Sequence, residues 1–137
     1  MNRRGQREVS GMSKADTGDT APSQRFDERA AKALTESMSV LDARTFSDLR
    51  DEEFLVVTPT GTYTVDAIAE TCTCPDALHR APDEGCKHQL RVAMARGERP
   101  IPGWVDCSAI DDGLGQHLSA DPRIVTADGW TEVLDVR

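Results

Sequence analysis

Apolar and polar positions in the first third of the chain follow a helical period. Over residues 26–40 the apolar side chains recur at the three- to four-residue spacing of one helix face: Ala30, Ala33, Leu34, Met38 and, at its end, Leu41. Asp27 stands just before this run and is a residue type that caps helix N-termini. The pattern predicts a helix over residues 26–40.

The pattern then changes to the two-residue period of extended chain. Residues 53–58 are rich in β-branched and aromatic side chains, and residues 59–61 supply a turn. Residues 62–66 alternate polar with apolar side chains, so that Tyr63 and Val65 would share one face of the return strand. A β-hairpin is therefore predicted.

A second helix is predicted over residues 86–96, because apolar positions regain a helical period there and Gly97 is a typical stop. Leu90 and Met94 are spaced to pack against the hairpin. The chain from Pro75 to Gly85 is expected to be a loop.

The two ends of the chain lack strong periodicity. Residues 1–24 are rich in small and polar side chains and are predicted to be disordered; Met12, within them, is a second candidate start. Residues 103–122 are expected to be mostly loop. A terminal hairpin is predicted for residues 123–126 and 130–134, which flank an Asp-Gly turn.

The chemistry of the chain is concentrated in seventeen residues that hold Cys72, Cys74, Cys86 and His88. Three thiolates and one imidazole form a complete tetrahedral shell for Zn²⁺. Because four protein ligands leave no position for a substrate or a reactive water, the pattern indicates a structural metal. Cys86 and His88 would lie at a helix start, where unpaired N–H groups and the helix dipole favour a thiolate.

Other candidate ligands are weaker. His79 follows Cys74 by five residues and competes for a place in the shell, but it is interpreted as a solvated loop histidine. Cys107 and His117 are ten residues apart and would make half of a second site; Cys107 is interpreted instead as a small buried or free thiol. Trp104 and Trp130 are interpreted as core or loop anchors.

The amino-acid composition indicates the environment in which the protein works. The net charge is −8, with 24 acidic and 16 basic residues, and only three of the bases are lysines. A chain this acidic and lysine-poor is typical of a cytoplasmic protein from a salt-loving microbe, although an ordinary acidic protein fits the charge nearly as well. No apolar run is long enough to cross a membrane, and no hydrophobic stretch follows Arg7 to make a secretory signal. A cytoplasmic location with reduced cysteines is therefore expected.

The order and context of the four ligands resemble a known family. Cys72-x-Cys74, a gap of eleven residues and Cys86-x-His88 resemble the SWIM zinc finger pattern, C-x-C-x(n)-C-x-H. Residues 33–38 and 91–102 are similar to segments of small stand-alone SWIM proteins of halophilic archaea. The resemblance covers roughly residues 28–118.

This resemblance implies an α+β fold, namely a small ββα-type zinc finger with an N-terminal helix, a β-hairpin and a C-terminal extension. The expected organisation is a disordered tail over residues 1–24, a SWIM-type domain over 25–102 with its finger core at 63–97, and the extension over 103–137. Zn²⁺ is the implied cofactor, held by the four ligands.

The family leaves two functions open, because SWIM domains are generally predicted to bind DNA or proteins. The first hypothesis is a non-enzymatic zinc-binding adaptor that contacts a protein partner. The second is a DNA-binding module that uses the finger helix in transcription or recombination. Arg91, Arg96 and Arg99 lie on or just after that helix and are candidate contacts for phosphates or a partner, unless they form a solvated face.

An enzyme is not expected, and neither is a small-molecule substrate. The sequence has no paired-carboxylate or phosphate-loop motif. Nucleophilic catalysis would need a free thiol beside a histidine, and metal binding uses the cysteines best placed for it.

Overall fold

This computed structural model describes residues 26–134 of the chain. They contain a four-stranded sheet, three α-helices and a terminal β-hairpin, joined by turns and loops. The main antiparallel sheet has the order β1-β2-β3-β4, with β1 Ser39–Leu41, β2 Glu53–Thr58, β3 Gly61–Asp66 and β4 Thr71–Cys72. The helices are α1 Glu28–Thr35, α2 Pro75–His79 and α3 Lys87–Ala95, and the hairpin joins β5 Arg123–Val125 to β6 Thr131–Val133. The α+β class is confirmed, while the expected tail and Met12 lie outside the described residues.

Helix α1 begins where the sequence predicts and ends sooner. The Asp27 side chain caps it by accepting a hydrogen bond from the N–H of Ala30 at 3.0 Å. The predicted helix over 26–40 is wrong beyond Thr35, since Glu36 is already extended and residues 39–41 form β1. Residues 38–40 are alternately buried and exposed, which is the period of a strand.

The predicted hairpin of β2 and β3 is confirmed, with register from Glu53 opposite Asp66 to Thr58 opposite Gly61. Strand β1 extends the sheet beside β2, and the short β4 extends it beside β3. In the second pairing Val65 lies opposite Cys72. The first metal-ligand candidate is thus held at the edge of the sheet.

Helix α3 packs between two apolar layers. Leu90 and Met94 are buried as core residues, but they belong to the cluster with α1 rather than to the hairpin, so the expected direction of packing is wrong. The sheet side is occupied by Val92, which packs in the cluster of Val56 and Val65. Helix α3 is therefore buried on the side that faces α1 and on the side that faces the sheet.

The C-terminal extension shares this core. Ile101, Ile110 and Leu114 are buried in the cluster that contains α1 and α3, so residues on both sides of the expected boundary at 102 pack together. The predicted terminal hairpin is confirmed, and it joins the body through an Ile101–Ile124 bridge. The two tryptophans are about three-quarters exposed, and Trp104 lies edge-on to Phe26 with ring centroids 5.3 Å apart.

Candidate metal centre

Four donor side chains from separate positions in the chain meet in the interior. The ligand atoms of Cys72, Cys74, Cys86 and His88 all lie within 4.8 Å of one another, and each residue is at most 4% exposed. Cys72 comes from β4, Cys74 precedes α2, and Cys86 and His88 stand at the start of α3. The structure therefore brings together the four residues that the sequence singled out, in an arrangement that can hold a metal ion.

Two of the donor-to-donor distances are close to those around a tetrahedral ion. The Nδ1 atom of His88 lies 3.8 Å from the Sγ atoms of both Cys72 and Cys86. Zinc bonds of about 2.3 Å to sulfur and about 2.0 Å to nitrogen, at tetrahedral angles, separate a nitrogen from a sulfur by about 3.6 Å. The observed distances need only a few tenths of an ångström of adjustment. Because Nδ1 is the ring nitrogen beside both thiols, it is the atom that would bind the ion.

Two of the cysteines occupy helix N-caps. Cys74 caps α2 and accepts a hydrogen bond on its Sγ from the N–H of Ala77 at 3.4 Å. Cys86 caps α3, and its own N–H donates to the side chain of Gln89 at 2.8 Å. Unpaired N–H groups and the helix dipole stabilise a thiolate at such positions. Helix α2 lies where a loop was expected; its signal was Pro75, because proline is suited to the first turn of a helix.

The three thiols of the cluster differ in how readily they lose a proton. Hydrogen bonds from Cys72 and His88, of which that from Cys72 has the larger effect, lower the pKa of Cys86 to about 4 despite its burial. The hydrogen bond between Cys72 and Cys86, together with burial, raises the pKa of Cys72. Burial raises the pKa of Cys74, against the N–H that Ala77 donates. The first proton is therefore easily lost from the cluster, and a bound cation would have to displace the other two.

Contacts around the cluster fix its position relative to the sheet and α1. The Tyr63 ring covers the His88 imidazole, with centroids 4.4 Å apart. Arg29 of α1 forms two hydrogen bonds to the Asp76 carboxylate, at 2.8 and 3.0 Å, and holds its pKa at about 2. Asp76 lies two residues after Cys74, so this ion pair ties the first helix to the chain between the ligand pairs.

Arg91, one of the three candidate contact residues, is not on the surface. Its side chain is fully buried and its guanidinium donates hydrogen bonds to three backbone carbonyls near the end of α1: Ala33, Glu36 and Met38, at 3.1, 3.0 and 2.8 Å. It also pairs with the Asp111 carboxylate. The candidate role of Arg91 in binding phosphates or a partner is therefore corrected to an internal link. Sequence reasoning missed Asp111, which lies in the extension with no local motif around it.

The other two arginines are half-buried and engaged within the protein. Arg96 lies over the Phe54 ring, 4.9 Å from its centroid, and pairs with Glu52 at 2.9 Å. Arg99 pairs with Glu84 at 3.2 Å. Neither contact tests a role in binding a partner, so both residues stay predictions in that respect.

The weaker ligand candidates stay apart from the centre. His79 is exposed at the end of α2, and Cys107 and His117 are exposed in the extension. Across residues 26–134 the Cys72–His88 cluster is the one group of three or more such side chains arranged to hold a metal ion. Cys107 is a free thiol, as the sequence indicated.

Comparisons with known proteins identify no relative: no family model, no curated protein and no solved structure matches the chain. Within residues 26–134, no helix is long and apolar enough to cross a membrane. The chemistry of the site therefore has to carry the functional conclusion.

Proposed function

We propose that this chain is a non-enzymatic zinc-binding protein of the SWIM type, and that its metal-ordered domain acts as an adaptor for another protein. The observation that carries this proposal is the buried cluster of Cys72, Cys74, Cys86 and His88, whose ligand atoms all lie within 4.8 Å of one another. Thiolates and an imidazole are donors that favour zinc over hard cations such as Mg²⁺ and Ca²⁺. Iron–sulfur clusters, by comparison, are usually held by four cysteines.

A structural rather than a catalytic ion is supported by the ligand count. A tetrahedral ion held by four side chains has no coordination position left for water or substrate. The ligands also bracket one stretch of chain: residues 75–85, called here the metal loop, run from Cys74 to Cys86. An ion would fix both ends of this loop and join them to β4. The main effect of the ion would be to hold the metal loop in one conformation.

Protein contact is favoured over DNA contact by the burial of the finger helix. Six of the nine residues of α3 are buried, and the other three are only partly exposed: Lys87, Gln89 and Ala93. A recognition helix has to present a row of side chains to the DNA groove. Residues 26–134 also hold twenty acidic residues against ten basic ones, which would repel phosphates. Reducing conditions, as in a cytoplasm, suit the free thiols, and we propose that compartment.

Elemental analysis of the purified protein tests the metal assignment. After reconstitution with zinc chloride and gel filtration, we expect one zinc per chain in the wild type. Cys86→Ala should lose it, whereas Cys107→Ala, which removes an exposed thiol outside the cluster, should keep it. A wild type without zinc, or a Cys86→Ala variant that retains it, would contradict the proposal.

A salt titration separates the adaptor from the DNA-binding alternative. Phosphate contacts release counterions, so DNA binding weakens steeply as salt rises. We expect no binding of a fluorescein-labelled random-sequence DNA duplex even at low salt. Binding with a steep salt dependence, lost in an Arg96→Ala/Arg99→Ala variant that keeps its zinc, would favour DNA instead.

A further inference from the structure

An open groove of about 1060 Å³ runs beside the metal loop. Its floor is apolar and is formed by four buried side chains from the sheet and α3: Val65, Cys72, Leu90 and Val92. Its walls include the turn between β3 and β4 and part of the metal loop, including residues 81–85. The groove thus lies directly against one ligand of the candidate metal centre.

Two features of the groove suit an extended chain. Among residues 26–134, β4 is the last strand of its sheet, and both of its residues, Thr71 and Cys72, line the groove. An unpaired strand edge is a site where another extended segment can add. Leu78 of the metal loop also lines the groove and is 66% exposed, so its apolar surface lies open at the rim.

The rim of the groove is strongly acidic. Five carboxylates line it, Asp66, Glu70, Asp83, Glu84 and Glu98, against a single base, Arg99. Glu84 pairs with Arg99, and Glu98 pairs with Arg96. Glu70 and Asp83 are exposed and form no ion pair with any residue in 26–134. Within residues 26–134 these two carboxylates therefore bring unpaired negative charge to the groove, one from the turn between β3 and β4 and one from the metal loop.

We propose that this groove is the docking site for an extended segment of a partner protein in which apolar and basic side chains alternate. In an extended chain, successive side chains point to opposite sides. Apolar side chains would then reach the floor while Lys or Arg side chains face Glu70 and Asp83. This inference rests on the adaptor function proposed above and names the surface through which it would act.

Docking through this groove would depend on the metal. The metal loop supplies one wall and is anchored at its ends by Cys74 and Cys86, while Cys72 forms part of the floor. Without the ion, the loop loses the metal bonds at its two ends, and the partly exposed ion pairs of Asp76 with Arg29 and Glu84 with Arg99 would hold its distance from β4 less firmly. We therefore expect zinc removal to abolish docking without any change to the carboxylates on the rim.

Selection of peptides on the zinc-loaded full chain tests this proposal. A phage library of random peptides is the probe, and we expect enrichment of sequences that alternate apolar residues with Lys or Arg. A fluorescein-labelled copy of the best peptide should bind the Glu70→Lys/Asp83→Lys variant at least about tenfold more weakly. The control is Asp48→Lys/Asp51→Lys, which makes the same charge change on exposed carboxylates outside the groove and should leave binding unchanged.

An apolar pair of variants tests the same surface without changing charge. Leu78→Ser should weaken binding, whereas Ile68→Ser, which removes an exposed side chain that does not line the groove, should not. All variants should retain one zinc per chain, because none of them replaces a ligand. Loss of binding on chelation of zinc, and recovery on its return, is the expected metal dependence.

Four results would overturn the inference. Selected peptides without basic residues, or peptides that bind both charge variants equally well, would place docking elsewhere while the zinc assignment stands. Tighter peptide binding by an Arg3→Gln/Arg4→Gln/Arg7→Gln variant would assign the groove to the basic N-terminal segment of the chain itself. A wild type without zinc would instead refute the function on which the inference rests.

Discussion

Arg91 links three parts of the molecule, so Arg91→Ala is expected to be strongly destabilising. The guanidinium donates hydrogen bonds to three carbonyls near the end of α1 and pairs with the carboxylate of Asp111, and none of the side chain is exposed. Alanine would leave these acceptors without their donors and open a cavity between α1 and α3. The structural consequence is a weakened contact between α1, α3 and the C-terminal extension.

The magnitude follows from the partners that are lost. Removing one member of a buried ion pair typically costs about 3–5 kcal/mol, because the other charge is left uncompensated. Unsatisfied carbonyls add to this, and partial entry of water reduces it, so we expect about 4 kcal/mol. For a domain near 100 residues, 1 kcal/mol lowers Tm by about 4 °C, which gives a decrease of about 15 °C.

Thermal unfolding followed by circular dichroism, at constant zinc, measures this change. Arg96→Ala is the control, because it removes an arginine of the same helix region whose ion pairs are partly exposed and worth about 1 kcal/mol or less. Arg91→Lys should fall between the two, since lysine keeps the charge but cannot donate to all of the acceptors. If Arg91→Ala lowered Tm no more than Arg96→Ala does, the linking role assigned to Arg91 would be wrong.

Two further predictions concern the metal loop and the end of α3. Cys74→Ser should lower Tm and abolish the increase of Tm on zinc addition, because folding and metal binding are coupled at such sites. The control Cys107→Ser should keep the full increase of Tm with zinc. An equal increase in both variants would contradict a structural metal. Gly97→Ala should destabilise by about 3 kcal/mol, because Gly97 has a φ of +77° and an added Cβ would lie 2.4 Å from the Asp121 carbonyl oxygen. Gly129 shares the positive φ, but a Cβ added there meets no atom of residues 26–134 within 4 Å, so Gly129→Ala is expected to cost about 1 kcal/mol in urea unfolding. Equal losses at the two glycines would refute the steric argument.

The candidate ligands could be read from the sequence because their signal is local. Each pair is separated by a single residue, and Cys86 and His88 lie at a helix start that the apolar period already indicates. The two strands of the β2–β3 hairpin could also be predicted, because alternation and turn residues mark them locally, although Gly61 was placed in the turn and in fact begins β3 opposite Thr58. In both cases the interactions that decide the structure lie within a few residues of one another.

The end of α1 could not be predicted from local sequence in this way. Met38 fits a helix face as well as it fits a strand, and the choice depends on pairing with β2 and on the guanidinium of Arg91. That arginine is 53 residues further along the chain. The spacing of apolar residues within one segment contains no information about a partner so far along the chain.

By itself, the sequence determined the α+β class, the four candidate metal ligands, the hairpins and the start of both longer helices, because caps, turns and periodic burial act over a few residues. Tertiary structure alone decided that Arg91 is an internal link rather than a surface contact, that Leu90 and Met94 face α1, and that the extension completes the core. It also formed the groove, from side chains of β4, the metal loop and α3. These features depend on which distant segments pack together, and that is set by the burial of several apolar faces at once rather than by any one of them.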